Sequence, residues 1–83
     1  MNTVKLSNVS LAIFRKFLFD VGCTRVATSK GRGGHEKWVK EGLLRPITLP
    51  THVDPVAEIV IKSNLRTLGL DRSFFEAWLL KNG

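Results

Sequence analysis

The chain has few of the residues from which most catalytic centres are built. It holds one cysteine, two histidines and seven carboxylates in 83 residues. With no second cysteine, neither an internal disulfide nor a cysteine metal cluster can form, and Cys23 reads as a small core residue. His35 and His52 stand seventeen positions apart with no HxxxH or paired CxxC spacing, so no metal-ligand set is expected and no cofactor is implied. Apolar runs fall far short of the roughly 20 residues of a membrane span. The first ten residues, "MNTVKLSNVS", have no apolar signal core, so the expectation is a cytoplasmic protein without membrane association. No linker, repeat or low-complexity tract divides the sequence, which reads as one domain over residues 1–83. Its length excludes a two-lobed enzyme, since a chain this short buries only about 60 to 65% of its unfolded surface.

The scarcity of acid leaves a strong imbalance. Thirteen lysines and arginines give a net charge of +6 and an isoelectric point near 10.1. Such a surface attracts polyanions, nucleic acid first among them; a merely solvated basic surface is the alternative. Arg25, Lys30, Arg32, Lys37 and Lys40 crowd into what reads as one hairpin.

Four stretches differ in period. From Ser10, a plausible N-cap, Leu11, Phe14, Phe17, Leu18 and Val21 recur at helical spacing up to Gly22. Between Cys23 and Pro50, short Val-, Thr- and Ile-containing segments broken by "KGRGG" and "KEG" read as a three-stranded antiparallel meander. Asp54-Pro55 offers an N-cap with proline at the first helical position, and Val56, Ile59, Val60, Leu65 and Leu68 predict a second helix ending near Gly69. Asp71 can cap a last short helix that buries Phe74, Phe75, Trp78 and Leu79. The fold class is therefore α+β: a three-stranded antiparallel sheet with two helices on one face, in the order α-β-β-β-α, plus a short C-terminal helix. The other sheet face, with basic side chains on it, is left open to a partner. A double-stranded-RNA-binding domain has this element order.

The stretch "SKGRGGHEKW" carries what chemistry there is. It lacks the GK[ST] ending of a phosphate-binding loop, and no nucleophile elbow supports a Ser-His-Asp site. A histidine among cations and glycines suits cleavage of RNA by attack of its own 2′-hydroxyl on the adjacent phosphate. The substrate supplies the nucleophile, so the protein needs a proton-transfer group and positive charge. His35 can serve the first need, and Lys30, Arg32 and Lys37 the second. Gly33 and Gly34 would let backbone N–H groups approach the phosphate. A hairpin turn followed by an ordinary surface histidine is the alternative. By strand alternation Trp38 and Glu36 point away from His35, Trp38 into the core. His52, just past Pro50, can approach His35 across the sheet as an accessory acid or base, or else serve as a strand-end surface residue.

The order "FRKFLFDVGC…KGRGGHEKW…ITLPTH…NLRTLGLDRSFFEAWL" resembles the HicA toxin family, small ribonucleases of bacterial type II toxin-antitoxin pairs. The shared points fall at Gly22, Gly34-His35, Leu49-Pro50-Thr51-His52 and Gly69-Leu70. The resemblance implies a double-stranded-RNA-binding-like fold, metal-independent cleavage of mRNA in the bacterial cytoplasm with His35 as catalytic histidine, and inhibition by an acidic HicB-type antitoxin. The chain departs from the family pattern at Gly34, where serine is usual, in a longer loop before it, and at the start of the second helix. A non-catalytic basic RNA-binding domain using the same sheet face is the alternative.

Overall fold

The computed structural model describes residues 6–26 and 34–82. A 3-10 helix, Leu6–Asn8, leads into α1 (Leu11–Asp20); β1 (Thr24–Val26), β2 (His35–Val39) and β3 (Ile47–Pro50) follow, then α2 (Glu58–Leu68) and α3 (Arg72–Asn82). The strands form one antiparallel sheet in the order β1-β2-β3, and the protein is a small α+β fold with helices over the sheet.

Strand alternation decides what each sheet face does. Trp38 pairs with Ile47 and Glu36 with Leu49, and these point toward the helices, where Trp38, Ile47 and Leu49 are buried. α1 meets them with Leu11, Phe14, Phe17 and Leu18, the stripe its periodicity predicts. Phe17 and Phe75 are the closest aromatic pair, edge to face with centroids 4.6 Å apart, and Phe14, Trp78 and, at the edge, Phe74 join the cluster. Cys23 is buried in the same core; burial pushes its thiol up, against the opposing charge of Lys40.

The helix ends follow the sequence in three places and depart from it in one. The Ser10 hydroxyl accepts from Ile13 N at 3.1 Å, Asp71 accepts from Phe74 N at 3.0 Å, and Gly69 ends α2 in the left-handed conformation at φ 74°. Asp54, expected to start the second helix, instead accepts from Leu11 N at 3.1 Å and caps α1. α2 starts at Glu58, four residues further on, with Ala57 as N-cap and no side-chain cap. The Asp54 side chain is already committed to a different helix, and the Asp54-Pro55 peptide bond is cis.

Two further expectations are corrected. The apolar stripe of α2 is Ile61, Leu65 and the partly buried Leu68, whereas Ile59 is 76% exposed. At 3.6 residues per turn Ile59 lies about 200° around the helix from Ile61, on the far side of that stripe. The C-terminal helix is not short: α3 has 11 residues, as many as α2. Only Phe75 of its predicted core residues is fully buried, Trp78 and Leu79 are half-buried, and Phe74 is exposed at its edge.

One carboxylate joins α1 to the middle strand. Glu36 accepts from Arg15 Nε at 3.1 Å and Nη2 at 2.8 Å, from Arg25 Nη1 at 3.2 Å and from Trp38 Nε1 at 3.2 Å. Burial pushes its carboxyl up, but the hydrogen bonds from Arg15 and Trp38 and the charges of Arg15 and Arg25 outweigh this and hold it below the usual glutamate value. With the folded value depressed, the stabilisation is present above the unfolded glutamate pKa and is lost as pH falls through the folded one. Glu36→Gln is therefore expected to cost about 1–3 kcal/mol at neutral pH. Denaturant titrations of parent and variant should show the difference shrinking below about pH 4; a difference independent of pH would contradict this role for the charge.

Candidate active site

The site is assembled where the start of β2 meets the end of β3. His35 pairs with Pro50 in the sheet, and Thr51 N donates to the Gly34 carbonyl at 2.6 Å, extending the pairing one step past the strands. The following segment is held from its other end, because Asp54 caps α1 and Val56 N donates to Val9 O at 2.7 Å. His52 is thereby suspended between two anchored points. Its ring centroid lies 5.7 Å from that of His35, with the planes inclined at 57°. Both imidazoles are exposed.

Gly34 makes this junction possible. It has φ +60°, and a Cβ on it would lie 3.3 Å from His52 Cβ and 3.4 Å from Thr51 Oγ1. A side chain here would meet both left-handed backbone strain and the segment carrying His52. The glycine is needed for the approach of residues 51–52, a reason independent of any phosphate.

Beside His35 lies a cleft of about 360 Å³ between the open face of β3 and the flank of α2. His35 and Arg45 bring nitrogen chemistry to it, Pro46, Pro50 and Ile59 bring apolar surface, and no carboxylate is among the described residues that line it. Lys37, two residues after His35, stands on the same exposed sheet face. Among the described residues no three His, Cys, Asp or Glu side chains are grouped so that they could hold a metal ion.

The structure brings together some of the sequence-predicted residues and separates others. His35, Gly34 and His52 are in contact range, with Lys37 nearby on the face. Lys30, Arg32 and Gly33 lie outside the described residues. Among the described residues the hairpin cations Arg25, Lys37 and Lys40 do not form one basic patch: Arg25 is opposite Trp38 and bonds Glu36, and the Lys40 chain passes 3.5 Å from where a Gly22 Cβ would be. Arg25 is thus committed to holding the fold together. Glu36, tied to two arginines and Trp38, has no part in orienting His35.

Two lining residues were missed from the sequence. Arg45 follows "GLL" in a turn, and nothing in its spacing assigns it to a site. Asn64 left a sign: it falls between Ile61 and Leu65 on the apolar stripe of α2, where an amide is out of place unless it has a polar task. It is 6% exposed, lines the cleft, and donates from Nδ2 to the Thr48 carbonyl of edge strand β3 at 3.3 Å.

Gly34→Ala is expected to cost about 1–2 kcal/mol from the left-handed conformation alone and to displace the side chains of Thr51 and His52 slightly, since the new Cβ would lie 3.3 Å from His52 Cβ and 3.4 Å from Thr51 Oγ1. Thermal melts would give the first, and chemical-shift changes at Thr51, His52 and the His35 ring the second; an unchanged melt and unchanged shifts would count against the tight junction. No family model, curated protein or solved structure matches this chain.

Proposed function

We propose that this protein is a metal-independent endoribonuclease of the HicA type, the toxin of a bacterial type II toxin-antitoxin pair acting on mRNA in the cytoplasm. The observation that carries the reading is the pair of exposed imidazoles with centroids 5.7 Å apart on a face bearing Lys37 and Arg45. The sequence resemblance around Gly34-His35 and Leu49-Pro50-Thr51-His52 supports it independently of that geometry.

Cleavage of RNA by its own 2′-hydroxyl needs two proton transfers. The 2′-oxygen forms a bond to phosphorus while the bond from phosphorus to the 5′-oxygen breaks. One imidazole takes the 2′-hydroxyl proton, and the other, protonated, gives a proton to the departing 5′-oxygen. The products are a 2′,3′-cyclic phosphate and a 5′-hydroxyl. Imidazole can serve either role, as a base when neutral and as an acid once protonated. In this reading His35 is one member of the pair and His52 the other. Lys37 and Arg45 offset the charge that builds on the phosphate oxygens, with Lys30 and Arg32 contributing if their segment meets the substrate. The antitoxin is an acidic HicB-type protein that covers the cationic face and the histidines in one interface.

Cleavage of a single-stranded RNA in the presence of a chelator tests the assignment. His35→Ala and His52→Ala are each expected to slow cleavage by about 10²- to 10⁴-fold, with RNA binding and thermal stability near those of the parent. A substrate whose 5′-bridging oxygen is replaced by sulfur needs no acid for departure, and it should rescue one of the two variants, thereby naming the proton donor. Parent protein that binds RNA in a salt-dependent way yet yields no products at any concentration would mark a non-catalytic RNA-binding domain instead. Full activity of His52→Ala would remove that residue from the chemistry.

A further inference from the structure

We propose that the cleft beside His35 seats a single nucleoside of the RNA next to the phosphate to be cleaved, with Asn64 accepting a hydrogen bond from a base N–H and Arg45 holding a flanking phosphate. The inference rests on the ribonuclease reading above and adds to it a base-sensing residue.

Asn64 carries the proposal. The Thr48 carbonyl can only accept, so the Asn64 nitrogen must face it and the amide oxygen must face away. Among the described residues no donor reaches that oxygen, and no enclosed side-chain oxygen or nitrogen lacks a partner, so the Asn64 oxygen opens into the cleft its residue lines. An amide on an otherwise apolar stripe needs a polar task for each of its ends, and the oxygen of this one is left as an accessible acceptor on the cleft.

The rest of the cleft fits a nucleoside. Ile59, Ser63, Thr67, Val60 and Asn64 form a continuous arc of α2, since steps of about 100° per residue place them within about 140° of one another. Ile59 at 76% exposure and the rings of Pro46 and Pro50 supply apolar surface for a flat base, the Ser63 hydroxyl supplies a polar contact, and Thr67 Oγ1, which donates to the Ser63 carbonyl at 3.2 Å, can still accept. Single-stranded RNA is recognised in this way, by apolar contact with a base face and hydrogen bonds to its edge. A volume of about 360 Å³ is near the small end of ligand pockets, enough for one nucleoside and too little for a duplex. His35 on the cleft wall places the base beside the reacting phosphate. Positive charge from Arg45, with no carboxylate among the described lining residues, favours an anionic polymer over a cationic ligand.

The full chain, labelled with ¹⁵N, is titrated with each of the four nucleoside 5′-monophosphates and separately with inorganic phosphate. At least one nucleotide is expected to shift the Asn64 side-chain NH₂ pair and the amides of Ser63 and Thr67, with affinities that differ among the four bases. Phosphate alone should leave Asn64 and Thr67 unmoved. Ile59→Glu, at an exposed position, is expected to keep the parent's melting curve and weaken nucleotide binding at least twofold to tenfold. Asn64→Leu melts earlier because the Thr48 carbonyl loses its donor, and it should level the affinities of the four nucleotides. Nucleotides that shift only what phosphate shifts, or that bind Ile59→Glu as tightly as the parent, overturn the seat. Neither readout needs cleavage: an inactive protein whose cleft still discriminates bases refutes the ribonuclease reading alone, and an active one with an unresponsive Asn64 refutes the seat alone.

Discussion

The attachment of the middle strand to α1 through Glu36 is the contact on which the rest of the molecule depends. β2 pairs with both neighbours, so whatever fixes β2 fixes the sheet, and Glu36 holds it to α1 through two bonds from Arg15 while also bonding Arg25 of β1. A single buried carboxylate facing one arginine would gain little after desolvation. This one accepts from three side chains, and its residual exposure of 16% leaves part of its hydration in place. Because side chains alternate along a strand, fixing Glu36 and Trp38 toward the helices forces His35 and Lys37 to the opposite face.

The same economy governs the other acids. Asp54 caps α1, Asp71 caps α3, Asp20 accepts from Trp78, and Glu58 and Glu76 pair with Lys62 and Arg72 one helical turn away. With Glu36 that accounts for all the carboxylates but Glu41, which lies in the exposed turn after β2. Acids consumed by caps and helix pairs are not available to neutralise the sheet face. The imbalance visible in composition thus becomes a local property of one surface. The cationic character of the cleft comes less from concentrated lysine and arginine than from acid being held elsewhere.

Much of this was legible in the residues. The α1 stripe, the meander and the caps at Ser10 and Asp71 follow from local chemistry, and so does the division of β2 into an inward Glu36 and Trp38 and an outward His35. The start of α2 was not legible, because Asp54 and Pro55 make a sound local N-cap and only the tertiary fold shows that Leu11 N takes the aspartate first. Ile59 was misplaced for a related reason: with the start of the helix displaced, an apolar residue outside the stripe looked like part of it. Arg45 comes to the cleft through a turn whose direction no periodicity encodes. Asn64 was legible in principle, as an amide on an apolar stripe.

The junction of Gly34 with residues 51–52 gives the proposed chemistry its physical basis. Two histidines on a flexible surface would spend most of their time apart, and bringing them together on binding would draw on the affinity for RNA. Here the Thr51–Gly34 hydrogen bond, the Asp54 cap on α1 and the Val56–Val9 bond constrain the segment before substrate arrives. The absent side chain at Gly34 allows the approach, and the strand register sets where it happens. Any side chain at that position would be strained at φ +60°. On the proposed reading, a partner that pries residues 51–52 from Gly34 would silence the protein as effectively as one that covers His35.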